Sequence, residues 1–235
     1  MIKQFKFLVV ILSLGLCVWA QDRTRSTSSE VSITAAEPTH YYYIPTANVN
    51  PPNCLVVSLH EMSYSFPDNL QLQASILDNI GRIAFGAKYG FQDNLSLGVG
   101  LANTLAHIGP GHHGIYKDSR LGAYLCYGFV KNPAFEAVVT PHMQIFNGNS
   151  LGCDVGGMAT PSPFWSVIWE VGTSIDVNNS NFWFNTDGGI RIHPPSIPFM
   201  NFDAGIDVSE FVLNTTNPST TPSIYFDAIF SMVTR

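Results

Sequence analysis

The side chains that could do chemistry in this chain are few, and their spacing is regular. Basic Arg82, Lys88, Arg120 and Arg191 stand against acidic Glu136, Asp154, Glu170, Asp176, Asp187, Asp203, Asp207 and Asp227. Each takes the polar phase of a stretch whose other phase is apolar. The basic members come mostly from the first half of the chain and the acidic ones from the second. Enclosed and facing one another, two such sets create a transverse field of the kind that steers ions through a pore. Packed as ion pairs, the same side chains would close a narrow bore. The sequence leaves open or filled as alternatives.

Other constellations point less far. His107, His112 and His113 bracket a Gly-Pro-Gly in the longest internal loop. Two or three imidazoles suit zinc or copper, but loop ligands have no fixed spacing and no Asp or Cys completes a site. No resident metal or cofactor is expected, and the three form a polar loop tip. His142 shares a face with Glu136 and Gln144. Ser58 and His60 share another, in an order that fits no nucleophile–base pair at defined strand positions. The reading is therefore not an enzyme. No P-loop, dinucleotide-binding glycine pattern, EF-hand or zinc-finger spacing occurs.

What must position the charges is a series of strands. From Cys54 onward the apolar period is two rather than 3.6. Leu95, Leu97, Val99 and Leu101 alternate with Ser96, Gly98, Gly100 and Ala102. Leu121, Ala123, Leu125, Tyr127 and Phe129 alternate with Arg120, Gly122, Tyr124, Cys126 and Gly128. Trp165, Val167, Trp169 and Val171 alternate with Ser166, Ile168, Glu170 and Gly172. Eleven strands are predicted, near 54–64, 69–77, 82–91, 95–107, 119–129, 135–146, 151–160, 165–177, 182–193, 200–210 and 223–234. A short segment at Tyr41–Thr46 makes twelve. Ten is the next choice.

The connections alternate in kind. Pro67-Asp68-Asn69, Gln92-Asp93-Asn94, Lys131-Asn132-Pro133, Pro161-Ser162-Pro163 and Pro194-Pro195-Ser196 are tight turns, coded by residues that favour bends. The others are mostly longer, such as "IGPGHHGIYKDS" and "LNTTNPSTTPS". Short turns at one end and long loops at the other are the pattern of an up-and-down antiparallel transmembrane β-barrel. The charges fit that reading. They oppose an unbroken apolar face, and their own face is otherwise Gly, Ser and Ala, which cover a wet surface poorly but suit an enclosed lumen. A Lys or Arg facing mid-bilayer costs roughly 2–4 kcal/mol, which an inward position avoids. Phe66, Phe91, Phe129, Phe135, Phe164, Trp165 and Phe199 lie beside the tight turns. Tyr116, Phe146, Phe182, Trp183 and Phe184 lie near the loops, so two interfacial girdles are expected.

The stretch "YGFQDNLSLGVG" resembles the hairpins of Gram-negative outer-membrane β-barrels, with a Tyr-Gly strand end, an Asp-Asn turn and a Leu-x-Leu-Gly strand start. The alternation covers 54–235. The resemblance is to the class, porin-like barrels included, and to no particular family in it. It implies both barrel ends on the short-turn side and an outer-membrane location. One departure is the end Met232-Val233-Thr234-Arg235, where such barrels commonly close on Phe or Trp. The expected function is passive, porin-like passage of small hydrophilic solutes or ions, with the twelve charged residues lining the pore. The alternative is a non-conducting structural or adhesive barrel that displays loops, and after it a secreted soluble β-sandwich.

Composition agrees. Apolar residues are 46% and charged residues only 12%, about half the usual charged fraction for a soluble surface. A net charge of −6 without a basic cluster excludes nucleic acid as a partner. The expected partner is a lipid bilayer, and oligomeric state is not readable. Lys3 and Lys6 before "FLVVILSLGLCVWA" read as a signal peptide over 1–20, cut before Gln21. A lipoprotein site at Cys17, after the bulky Leu16, and an uncleaved anchor are minor alternatives. Residues 21–53 read as a flexible leader and 54–235 as the barrel. No later stretch has the roughly 18 continuous apolar residues of a spanning helix. Cys54, Cys126 and Cys153 remain after export and read as small apolar residues rather than a disulfide framework.

Overall fold

The computed structural model describes residues 45–58, 61–75, 84–102, 120–132, 134–145, 149–178, 180, 182–212 and 221–233. The expected signal segment, most of the leader, Arg82, and the loop bearing His107, His112 and His113 lie outside these residues.

Twelve antiparallel strands form a closed barrel in simple sequential order, and the last pairs with the first. They are β1 (Cys54–Val57), β2 (Glu61–Ser65), β3 (Leu70–Ser75), β4 (Ala84–Gln92), β5 (Leu95–Ala102), β6 (Arg120–Asn132), β7 (Phe135–Ile145), β8 (Ser150–Ser162), β9 (Trp165–Asp176), β10 (Phe182–Ile192), β11 (Met200–Val212) and β12 (Thr221–Val233). Closure leaves no edge with unpaired backbone groups. Closure is set by Cys54 opposite Val233 and Val57 opposite Phe230. Both barrel ends therefore sit at the tight-turn side.

The number twelve arises differently from the expectation. Of the segment expected at Tyr41–Thr46, only Pro45 and Thr46 are among the described residues, and neither belongs to one of the twelve strands. The stretch read as one strand over 54–64 is a hairpin, with Cys54 opposite Ser65 and Val57 opposite Met62. Ser58 follows its first arm, and His60 lies outside the described residues.

The turns follow from their residues. A single 3-10 turn, Pro67–Asn69, links β2 to β3. Asp68 and Asn69 take φ of 67° and 58° there, a left-handed conformation these two side chains tolerate. Between β6 and β7, Asn132 Oδ1 accepts from the N–H of Ala134 at 3.1 Å and of Phe135 at 2.9 Å. β6, β8, β11 and β12 each have 13 residues. At about 3.3 Å per residue and a tilt near 40°, that wall is about 33 Å tall.

The two faces of the sheet separate by chemistry. Phe85, Leu97, Val99, Leu125, Phe129, Leu151, Ile190, Ile206 and Phe226 are exposed on the outer face. Ile224 is 88% exposed. Lys88, Ser96, Thr140, Asp154, Ser166, Glu170, Asp187, Arg191, Asp203 and Asp227 are buried on the inner one. Aromatics rim the tight-turn end, where Tyr64 meets Phe66 edge-on at 4.8 Å and Tyr89 meets Phe91 at 5.0 Å.

Candidate functional site in the barrel lumen

The lumen is built by the even-numbered residues of β4 to β9 and the odd-numbered residues of β10 to β12, and register brings the charges into rows. Ser166, Arg191, Asp203 and Asp227 lie side by side across β9 to β12. A second row carries Gly156, Glu170, Asp187 and Asp207 across β8 to β11. In a third, Gly172 separates Asp154 from Asn185, and a Cβ at Gly172 would collide with both side chains. Within the first row Arg191 grips Asp203 with two bonds. Nε donates to Oδ1 at 2.8 Å and Nη2 to Oδ2 at 2.7 Å. Both side chains are essentially unexposed, at 1% and 0%. Such a planar, paired contact is the geometry that makes Arg–carboxylate bonds strong.

The twelve residues picked from the sequence are therefore placed as follows. Lys88, Asp154, Glu170, Asp187, Arg191, Asp203 and Asp227 are buried in the interior, and Glu136 and Asp176 are half-buried in the same phase. Arg120 and Asp207 hold the same phase in the backbone of β6 and β11. Arg82 lies outside the described residues. His142 also faces inward, its Nδ1 3.5 Å from Asp154 Oδ2, and its ring covers Gly152.

Two features were not read from the sequence. The first is the course of residues 45–50. This segment crosses the inner wall at the tight-turn end. Thr46, Ala47 and Asn50 are buried. Lys88 Nζ donates to the backbone carbonyls of Thr46 at 2.6 Å and Asn48 at 2.5 Å. Cys126 Sγ donates to Pro45 O at 3.1 Å, and Lys131 Nζ to Asn48 Oδ1 at 2.8 Å. Ala47 joins an apolar cluster with Tyr124, Cys126, Val138 and Ile168, and Met158 packs on it. These come from β6, β7, β8 and β9, so the cluster fills the interior instead of merely coating it. Tyr124 in turn lies over Gly98 of β5.

The second feature is a hydrogen-bonded chain. Thr160 Oγ1 lies 3.0 Å from Ser166 Oγ, which lies 2.8 Å from His193 Nε2. His193 Nδ1 is 2.8 Å from Asn201 Oδ1. The residue types match a nucleophile, a base and its orienting group. Ser166 itself is 0% exposed. The chain braces β8, β9, β11 and the turn after β10. No sequence signal links residues 166 and 193, because only the closed sheet brings them together.

Beside these residues the tight-turn mouth holds two cavities. One of about 800 Å³ is lined by Glu136, Met158, Arg191, His193, Asn201 and several prolines. Another of about 480 Å³ lies against Val49, Asn50, Gly90 and Gln92. Asn48, Asp93 and Lys131 line both, so the 45–50 segment divides the mouth. No group of three or more metal-ligating side chains is found among the described residues.

No family model and no curated protein matches the chain. Among solved structures, a NanC porin determined in a rhombohedral crystal form is similar, with a TM-score of 0.52 over 75% of this chain and 97% of that one, at 10% sequence identity. At that identity the likeness is one of fold: the chain is a closed twelve-stranded β-barrel whose fold is similar to that porin's.

Proposed function

We propose that the chain is an outer-membrane β-barrel that gives small hydrophilic solutes or ions a passive route, and that it is not an enzyme. Arg82, Lys88, Arg120, Glu136, Asp154, Glu170, Asp176, Asp187, Arg191, Asp203, Asp207 and Asp227 are its lumenal charges. Residues 1–20 direct export, and the apolar outer face meets lipid.

The observation that carries this reading is the two-sided sorting of one continuous sheet. Phe85 and Phe226 are 59% and 55% exposed outside, while Glu170, Asp203 and Asp227 are fully buried inside. In water such an outer face would be an apolar patch far beyond what a soluble monomer carries. In a bilayer it removes the cost of solvating the belt, and closure satisfies each strand's backbone. The similarity of fold to a porin supports the same reading.

A second reading, a non-conducting barrel that anchors structure or displays its loops, draws on the Ala47–Tyr124–Ile168 cluster across the interior. Reconstitution separates the two. Protein inserted in a planar bilayer is expected to give stepwise currents. Silence from correctly folded protein favours the anchor, and recovery of the protein in the soluble fraction of cells refutes both.

A further inference from the structure

We propose that residues 45–50 are an internal strap that holds the barrel shut at its tight-turn mouth, and that solute passes only when the strap leaves its seat. This rests on the solute-passage reading above and assigns the closing element within it.

The strap's seat is built on three counts. First, Lys88 is buried with its ammonium aimed at the carbonyls of Thr46 and Asn48. The chain bends at Ala47, between these two residues, and one amine takes both carbonyls of the strap's backbone. A buried ammonium requires such partners. Second, the wall is cut back where the strap lies. A Cβ added at Gly90 would stand 3.1 Å from Val49 Cγ2, and one at Gly128 would stand 3.3 Å from Ala47 Cβ. Those contacts are tighter than side chains normally make, so glycine at these inner positions leaves room for the strap. Third, Ala47 reaches the cluster that includes Ile168, which β9 contributes. The strap thus bridges β4 and β6 to the far wall. An apolar plug of this kind blocks water and ions by dewetting as much as by bulk.

The strap is anchored on its C-terminal side. Asn53, just before β1, donates its N–H to Ser65 O at 2.7 Å and accepts from Tyr64 Oη at 3.2 Å. Pro51 and Pro52 separate this anchor from the seated residues. The segment can leave its seat without disturbing the β1–β12 closure.

Two experiments test the strap. The first uses full-length chain with its native cysteines replaced by serine and carrying Ala47→Cys and Gly128→Cys. The Cβ positions are close to the roughly 3.5–4.5 Å span of a disulfide. Oxidised protein in planar bilayers is expected to stay silent, and dithiothreitol is expected to raise the open probability at least tenfold. The second uses Cys126, fully buried and bonded to Pro45, as the sole cysteine. A water-soluble maleimide should label it in vesicles at least tenfold faster when residues 45–50 are replaced by Gly and Ser. Conduction that is the same oxidised and reduced, with the disulfide verified by gel mobility, overturns the strap and leaves passage standing. Silence in both redox states and in the Gly-Ser variant refutes passage itself, and the gate with it. Unchanged labelling of Cys126 overturns the seat.

Discussion

The Arg191–Asp203 pair offers the sharpest test of how the inner wall is held. Arg191 sits between Ser166 on β9 and Asp203 on β11, and Asp227 on β12 is the next residue in that row. Replacing Asp203 by Asn removes the charge of one partner and keeps its shape. Replacing Arg191 by Met removes the cation and leaves Asp203 beside Asp227. Breaking a buried pair from one side costs about 3–5 kcal/mol. Two carboxylates on adjacent strands, about 5 Å apart at an effective dielectric near 20, add about 3 kcal/mol of repulsion. The expected order is therefore Arg191→Met worse than Asp203→Asn, and the double variant less damaged than the sum by at least about 2 kcal/mol. Urea unfolding of protein refolded in lipid vesicles, followed by tryptophan fluorescence, measures all four corners of the cycle. Equal losses for the two single variants, or strict additivity, would refute the argument that the pair also shields Asp203 from Asp227.

Three further outcomes follow from the same geometry. Val99→Arg, on the exposed outer face of β5, should cost about 2–4 kcal/mol in vesicles; a loss below about 0.5 kcal/mol, usual for a soluble surface, would remove the lipid from the account. In an open barrel, cations should permeate over anions, because Lys88 and Arg191 are outnumbered by Glu136, Asp154, Glu170, Asp187, Asp203 and Asp227 among the described interior charges; reversal potentials in a salt gradient measure this, and Glu170→Gln with Asp187→Asn should weaken it. Gly98→Leu should displace the Tyr124 ring that covers it and destabilise by about 1–3 kcal/mol, read by the same urea titration, whereas Gly188→Ala, with its nearest neighbour at 3.8 Å, should change little.

Much of this was legible before the structure, and the failures have physical causes. From β4 onward the alternation is strong enough that the facing of Lys88, Glu170, Asp203 and Asp227 follows from parity alone. The first hairpin was not legible. "CLVVSLHEMSYS" keeps its period of two straight through the reversal, with no Gly, Pro, Asn or Asp to mark it, so two short strands read as one. The course of residues 45–50 was not legible for a different reason. "PTANVN" has the composition of a leader, and what seats it is Lys88, Cys126, Gly90 and Gly128, about 40 to 80 positions away. The inner glycines misled in a third way. A missing Cβ signals room at that backbone, but Tyr124 takes the space at Gly98, His142 at Gly152, and Asp154 with Asn185 at Gly172.

The buried charges also weigh between the two functions. A barrel that served only as an anchor would gain nothing from an Arg–Asp pair, a Lys and four further acids (Asp154, Glu170, Asp187 and Asp227) in its interior. Replacing buried ion pairs by apolar residues of similar size is often neutral or stabilising, and the Cys54–Val56–Ile229–Val233 cluster shows that this chain packs apolar residues inside its wall where it needs only packing. Keeping Lys88, Glu170, Asp187 and Asp227 inside is costly in a permanently dry interior and inexpensive in one that fills with water. In the shut form, strap carbonyls satisfy Lys88 and Arg191 satisfies Asp203. With the strap gone, water takes over the role of its carbonyls. Hydration of the wall would then offset part of the loss of the Ala47 contacts. An apolar interior would have no such compensation and would stay closed.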